Sequence, residues 1–129
     1  MAGLNRVQLI GNLGKDPETR FTPKGDKVCA FSVAVNHRWK SRDGAPKEVT
    51  EWFNIEAWGR LGEICQQYLQ KGRRVYLEGR LKTTKYEHEG ETRHITKVVA
   101  NQLIMLDRRA GEEAFAELED EEEGEDTEE

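Results

Sequence analysis

The sequence predicts an all-β protein: a five-stranded Greek-key barrel with one helix between strands three and four, plus a disordered acidic C-terminal tail. Three observations predict it. Apolar and polar residues alternate through five segments, one segment between the third and fourth repeats at helical spacing, and charge divides sharply along the chain.

The first strand is expected in NRVQLIGNL, residues 5–13, where Val7, Leu9 and Leu13 share one face. Gly11 and Gly14 suggest a bulge or sharp bend nearby. DPETRFTPKGDK is turn-rich and has room for a short edge strand around Arg20 to Thr22. VCAFSVAVNHRW is a β-branched strand, KSRDGAPKEV reads as a long polar mobile loop, and EWFNIEAW is the third main strand. In RLGEICQQYLQKG, Leu61, Ile64, Cys65, Tyr68 and Leu69 form one apolar helical face, with Gly72 as its stop. RVYLEGRLKTTKY is the fourth strand, with Val75, Leu77 and Leu81 facing in. YEHEGETR is a hairpin connection with Gly90 in its turn, and HITKVVANQLIML is the fifth strand. Three strands, a helix and two strands is the element order of the OB-fold, a small barrel that binds oligonucleotides. An SH3-like barrel or an α+β sheet would imitate it.

Side chains on a strand alternate between faces. In the third strand Phe53, Ile55 and Ala57 make the apolar face, so Trp52, Asn54, Glu56 and Trp58 lie on the other. Two tryptophans thus stand on the polar side of a strand whose core side is already filled. A core position or a subunit interface is the ordinary setting of a tryptophan; alternation argues against the first. In the fourth strand Tyr86 shares its outward face with Arg80 and Lys82, with Lys85 adjacent. Trp39 sits between Arg38 and Lys40; strict alternation puts it with Phe31, Val33 and Val35, and a bend at the strand end would turn it outward. Aromatics among basic residues suit single-stranded nucleic acid. Every base offers a face to stack on, and Lys and Arg neutralise phosphates. In a duplex those base faces are already covered.

Composition narrows the classes. Residues 107–129 carry 13 acidic and 2 basic side chains (net −11), whereas residues 1–106 carry 12 acidic and 18 basic (net +6). A basic body of residues 1–107 with an acidic tail of residues 108–129 suits a polyanion-binding domain with a solvated arm. No apolar run approaches the ~20 residues of a membrane span, so no membrane partner is expected. The N-terminal MAGLNRVQLIGN lacks the regions of a signal peptide. Cys29 and Cys65 are far apart and read as buried small hydrophobes of a reduced, intracellular protein. His37, His88 and His94 have no metal spacing, and GxSxG, Walker A and HExxH patterns are missing, so neither enzyme activity nor a metal or cofactor is expected. An OB module binding RNA or serving assembly remains a rival reading.

The segments NRVQLIGNLGKDPETRFTPKG, TEWFNIEAWGRLGEICQQYLQKG and VYLEGRLKTTKY together resemble the bacterial single-stranded DNA-binding protein family (SSB), from about Asn5 to Met105. The resemblance implies an OB-fold subunit of a homotetramer in the cytoplasm, at the nucleoid. It implies binding of single-stranded DNA without sequence preference, protecting it in replication, recombination and repair. The family's stacking positions fall on Trp39, Trp52, Trp58 (commonly Phe) and Tyr86 (often Trp). Its basic contacts fall on Arg60, Lys71 and Lys85, with Arg73 nearby. Lys40, Arg80 and Lys82 complete the expected contact set by their place beside the aromatics. Phe53 falls near an assembly surface of the family. One departure concerns the tail: the family's long Gly/Pro/Gln-rich linker is almost missing, and EEAFAELEDEEEGEDTEE lacks the usual apolar tip that docks replication and repair proteins. A solubilising arm, a docking segment and a competitor for the basic groove remain three readings of the tail.

Overall fold

A computed structural model describes residues 2–106. The strands are β1 (Val7–Leu13), β2 (Glu18–Phe21), β3 (Lys27–Lys40), β4 (Pro46–Trp58), β5 (Arg74–His88) and β6 (Glu91–Met105), with helix α1 (Gly59–Tyr68) between β4 and β5. Neighbours run β1-β5-β6-β4-β3-β2, and a further β1–β3 pairing closes five strands into a barrel. β2 is added at the edge of β3. The β4–β6 pairing is parallel and the other pairings are antiparallel. The expected acidic tail lies outside the described residues.

Closure depends on β1 serving two partners. Val7 to Asn12 pair with β5, then Asn12 and Leu13 cross to Ala34 and Val33 of β3. Gly11 makes the crossing possible, because a Cβ there would overlap the backbone carbonyl of Ala34. The helix packs onto β4 by the same means: a Cβ on Gly62 would overlap the carbonyl oxygen of Ala57. The bend expected near Gly11 is therefore a close strand crossing. The register irregularity lies elsewhere, between Glu78 and Gly79 opposite β6.

Alternation fills the interior. Val33, Ile55, Leu61, Leu77, Leu103 and Met105 are buried there with Phe31, Val75 and Val98. Each fully buried aliphatic side chain contributes about 1.5–3 kcal/mol relative to exposure. α1 adds Leu61 and Cys65, and Leu69 follows as the extended C-cap, its N–H donating to the Cys65 carbonyl at 3.0 Å. The helix thus ends at Tyr68, earlier than the sequence pattern suggests. Gly72, with φ +91°, belongs to the turn into β5.

Two connections are shorter than expected because the strands run past the barrel as hairpin arms. Half of residues 40–49 is strand. Only Ser41 to Ala45 form the loop, where the Asp43 carboxylate accepts from Ser41 Oγ and from the Ala45 N–H at 3.1 Å. These bonds hold the Asp43 carboxyl below its usual range. The β5–β6 connection narrows to Glu89-Gly90, both with positive φ (54° and 81°), as a two-residue hairpin turn of the primed kind requires. The arms also explain why two residues that alternation puts on the inner face are exposed. Leu81, expected inside, stands opposite buried Val98 at the rim of the core and is exposed, its backbone paired with the Asn5 side chain. Trp39 needs no bend: β3 stays regular to Lys40, and its inner face becomes solvent-exposed once past the core.

Arg73 corrects another expectation. Only 3% exposed, its guanidinium donates to the Tyr68 carbonyl at 3.4 Å and to Met105 Sδ at 3.2 Å. It ties α1 to β6 from within and does not offer its charge to solvent. Arg73→Ala is predicted to lower stability in urea by about 1–3 kcal/mol, while Lys71→Ala, at an exposed neighbour, changes it by less than ~0.5 kcal/mol. Equal effects would contradict the burial.

Cys29 and Cys65 are buried, and desolvation pushes the Cys29 thiol from 9.0 up to about 11. The protonated thiol is thus favoured in the fold. Its contribution to stability is complete below pH 9.0 and is lost as pH rises toward about 11. At pH 8 a thiol reagent is predicted to leave Cys29 unmodified in the native protein and to label it once urea unfolds the chain. Rapid native labelling would contradict this.

Candidate nucleic-acid interface

The candidate site is the outer surface of β4, β6 and β5. Glu56 lies beside Val99 in the parallel pairing, so the outward row of β4 continues across β6. On β5, Arg80, Lys82, Thr84 and Tyr86 stand opposite Val99, Lys97, Ile95 and Arg93. Alternation puts them on one face; the other face carries buried Gly79, Val98 and Ala100 within the barrel and meets solvent along the arm.

The tryptophans of β4 border this surface. Trp58 is half-buried at the helix N-cap, and the Lys82 ammonium lies 5.8 Å from its ring centroid, within cation–π reach. Trp52 is 60% exposed, paired with Ala34, and its ring lies against Gly14. Beside the row between them is a groove of about 250 Å³ lined by Lys15, Arg20, Ser32, Asn54, Ile95 and Lys97, among others. Its two acidic members are paired with its cations: Glu56 with Lys97 at 3.0 Å, and Glu18 with Arg20 at 3.4 Å and Lys15 at 3.7 Å. Tyr86 is 46% exposed on the β5–β6 arm.

Trp39 stands apart, on the other hairpin arm. It is 45% exposed and stacks on His37, with centroids 5.5 Å apart and planes inclined by 25°. Lys40, opposite Pro46, falls on the alternate face of that arm, the face that carries Arg38 and, further along, Ala34. Lys85 is exposed on the face opposite Tyr86, against His94. Arg60 is exposed in the first turn of α1, beside Trp58. Lys71 is exposed in the turn after α1, where its N–H donates to Asp16 at 2.8 Å. The fold therefore gathers Trp52, Trp58, Arg80, Lys82 and Tyr86 on one sheet surface. Trp39 and Lys40 stand on one arm, Lys85 on the reverse of the other, Arg60 and Lys71 near the helix, and Arg73 inside.

Sequence reasoning omitted Lys15, Arg20, Lys97 and His37. Extending alternation through β6 would have found Lys97 on the face of Ile95 and Arg93. The i, i+2 spacing would have paired His37 with Trp39. Lys15 and Arg20 carry no periodic signal, because only the tertiary fold brings them to the groove. A second surface, on β1 and β5, holds a polar network. Tyr76 donates to Glu78, Gln8 donates to both at 3.0 and 3.2 Å, and Arg6 lies 3.8 Å from Glu78. The shared hydrogen bond raises the Tyr76 hydroxyl pKa and lowers that of Glu78. Phe53, expected near an assembly surface, is half-buried against the core opposite Val33.

Among the described residues, no cluster of His, Cys, Asp and Glu could hold a metal ion, and no helix is long and apolar enough to cross a membrane. The chain is 50% identical over 107 residues to a single-stranded DNA-binding protein of Neisseria meningitidis serogroup A, covering 82% of this chain and 62% of that one. It is 46% identical over 106 residues to single-stranded DNA-binding protein 1 of Chlorobaculum tepidum, covering 81% and 65%. It thus spans less than two thirds of the length of these relatives. Among solved structures it is similar to a Plasmodium falciparum SSB in complex with ssDNA, with TM-score 0.75 and 35% identity over 83% of this chain and 98% of that one. A deletion mutant of the single-stranded DNA binding protein from Thermus aquaticus matches with TM-score 0.72 and 32% identity, covering 83% and 52%. The model of the Single-strand binding protein family matches residues 4–106, and the chain belongs to that family.

Proposed function

We propose that this chain binds single-stranded DNA without sequence preference, protecting it during replication, recombination and repair. Bases stack on Trp52, Trp58 and Tyr86, and on Trp39 at the arm. Arg80, Lys82, Lys40, Lys85, Arg60 and Lys71 neutralise phosphates, joined by Lys15, Arg20 and Lys97 of the groove. The activity is binding, with no chemical step. The observation that carries this reading is the outward placement of two tryptophans on one strand, beside a groove lined by lysine and arginine. Such a surface accepts any base, because stacking requires only a π-face. The ssDNA held by the Plasmodium relative supports the same reading.

Assembly into a homotetramer is part of the proposal. It is supported by the outer face of β1 and β5, where exposed Ile10 lies opposite Tyr76 in register. We assign residues 1–107 to the binding domain and the acidic residues 108–129 to a separate arm. The arm's net charge favours competition for the basic surface when DNA is missing. Docking of replication and repair proteins on this arm would have to proceed without the apolar tip.

Titration with oligo-dT, followed by tryptophan fluorescence, tests the reading. Quenching at low salt that reverses with added salt is predicted. Trp52→Ala or Trp58→Ala should weaken binding by about 1–3 kcal/mol each while the thermal transition is retained. A chain lacking residues 112–129 should bind more tightly at low salt. Fluorescence that oligo-dT leaves unchanged at low salt would sink the proposal, and equal affinities of the full and shortened chains would remove the competing role of the arm.

A further inference from the structure

We infer that Gly14 is a positioning residue for DNA binding: it is the seat that holds the Trp52 ring in its stacking orientation. The inference rests on the proposed role of Trp52 and adds a requirement to it. Gly14 follows β1, and its φ lies outside the left-handed region, so a side chain could adopt this backbone. Space is what forbids one. A Cβ on Gly14 would overlap Cζ3 of Trp52, reach 2.9 Å from Cη2, and lie 3.2 Å from Ser32 Oγ. Gly11, Gly62 and Gly79 instead face backbone carbonyls, a packing requirement of the barrel itself. Gly14 faces the far edge of an indole that is 60% exposed.

Which side of this contact can yield decides its role. The Gly14 backbone is clamped. Its N–H donates to the Ser32 carbonyl at 3.1 Å, the Leu13 N–H donates to the Arg73 carbonyl at 3.0 Å, and the Leu13 carbonyl accepts from Gly72 at 2.9 Å. Two residues on, Asp16 accepts from the Lys71 N–H at 2.8 Å. The turn is thus tied to β3 and to the segment leading into β5. Trp52 is held by its strand at the backbone and borders solvent at the ring. A methyl group at position 14 is therefore relieved by rotation of the indole, with the turn left in place. The glycine gives the ring one supported edge, so its orientation is set before a base arrives. The groove lined by Lys15, Arg20 and Asn54 lies alongside, and a displaced ring would stack a base out of line with those cations.

A double-mutant cycle tests this on the full chain with oligo-dT. Gly14→Ala should weaken binding about 2- to 10-fold, the scale of ordering one side chain on association. It should change the tryptophan bands of the near-ultraviolet circular dichroism of the DNA-free protein and leave the thermal transition nearly unmoved. In a Trp52→Ala background Gly14→Ala should weaken binding no further. The inference is overturned if Gly14→Ala leaves binding unchanged, or if it weakens binding equally with and without Trp52. If Gly14→Ala does not fold, the Gly14→Ala/Trp52→Ala pair decides: recovery of the fold traces the conflict to the ring, and failure to recover it places the constraint in the turn. Wild-type protein that oligo-dT does not quench fails at an earlier step, because there the functional reading falls and takes this inference with it.

Discussion

Trp52 and Trp58 stand outside because Phe53, Ile55 and Ala57 stand inside. β4 lies between β3 and β6 in a closed barrel, and its inner side chains complete a core that has no further room. Alternation then leaves β4 no other place for its two largest residues. The cost of keeping indole in water is tolerated where the ring has a task. The same parity carries across the parallel β4–β6 ladder to Lys97 and on to Lys82 and Tyr86, so one constraint assembles rings and cations on a single surface.

Charge follows burial in the same way. Arg80 and Lys82 carry their charged groups on the outer surface, where phosphates would displace counterions, and Lys97 is paired there with Glu56. Arg73 shows the opposite use of the same side chain. Its guanidinium lies inside, bonded to Tyr68 and Met105, and holds the helix to the last strand. Proximity in sequence to Lys71 is no guide to its role, because the turn into β5 sends one side chain out and the other in.

Much of this was legible from residue spacing. The element order, the helix and the inner and outer rows of β4 follow from period-two and period-3.6 patterns, since burial on one side of an element imposes them. Family likeness supplied what spacing did not, including Arg60 and Lys71. The strand lengths were not legible. The strand residues flanking the Ser41–Ala45 loop are mostly polar because both sides of a hairpin arm meet solvent, and polarity alone reads as a loop. Leu81 and Trp39 share parity with the inner face, but that face is packed only as far as the core extends. Tertiary approach was also hidden: Lys15 and Arg20 reach the groove, and Gly14 the Trp52 ring, through pairings distant in sequence.

DNA seated on the outer face of β4, β6 and β5 would bring its bases against Trp52, Trp58 and Tyr86. Photocrosslinking of an oligonucleotide carrying 5-iododeoxyuridine, with adducts located by mass spectrometry, tests it most directly. The β1–β5 surface offers an internal control, since Tyr76 is an aromatic residue on the far part of the same sheet. Adducts are expected on Trp52, Trp58 and Tyr86 and should be lost at high salt. Adducts concentrated on Tyr76, with the β4 tryptophans unmodified, would contradict it.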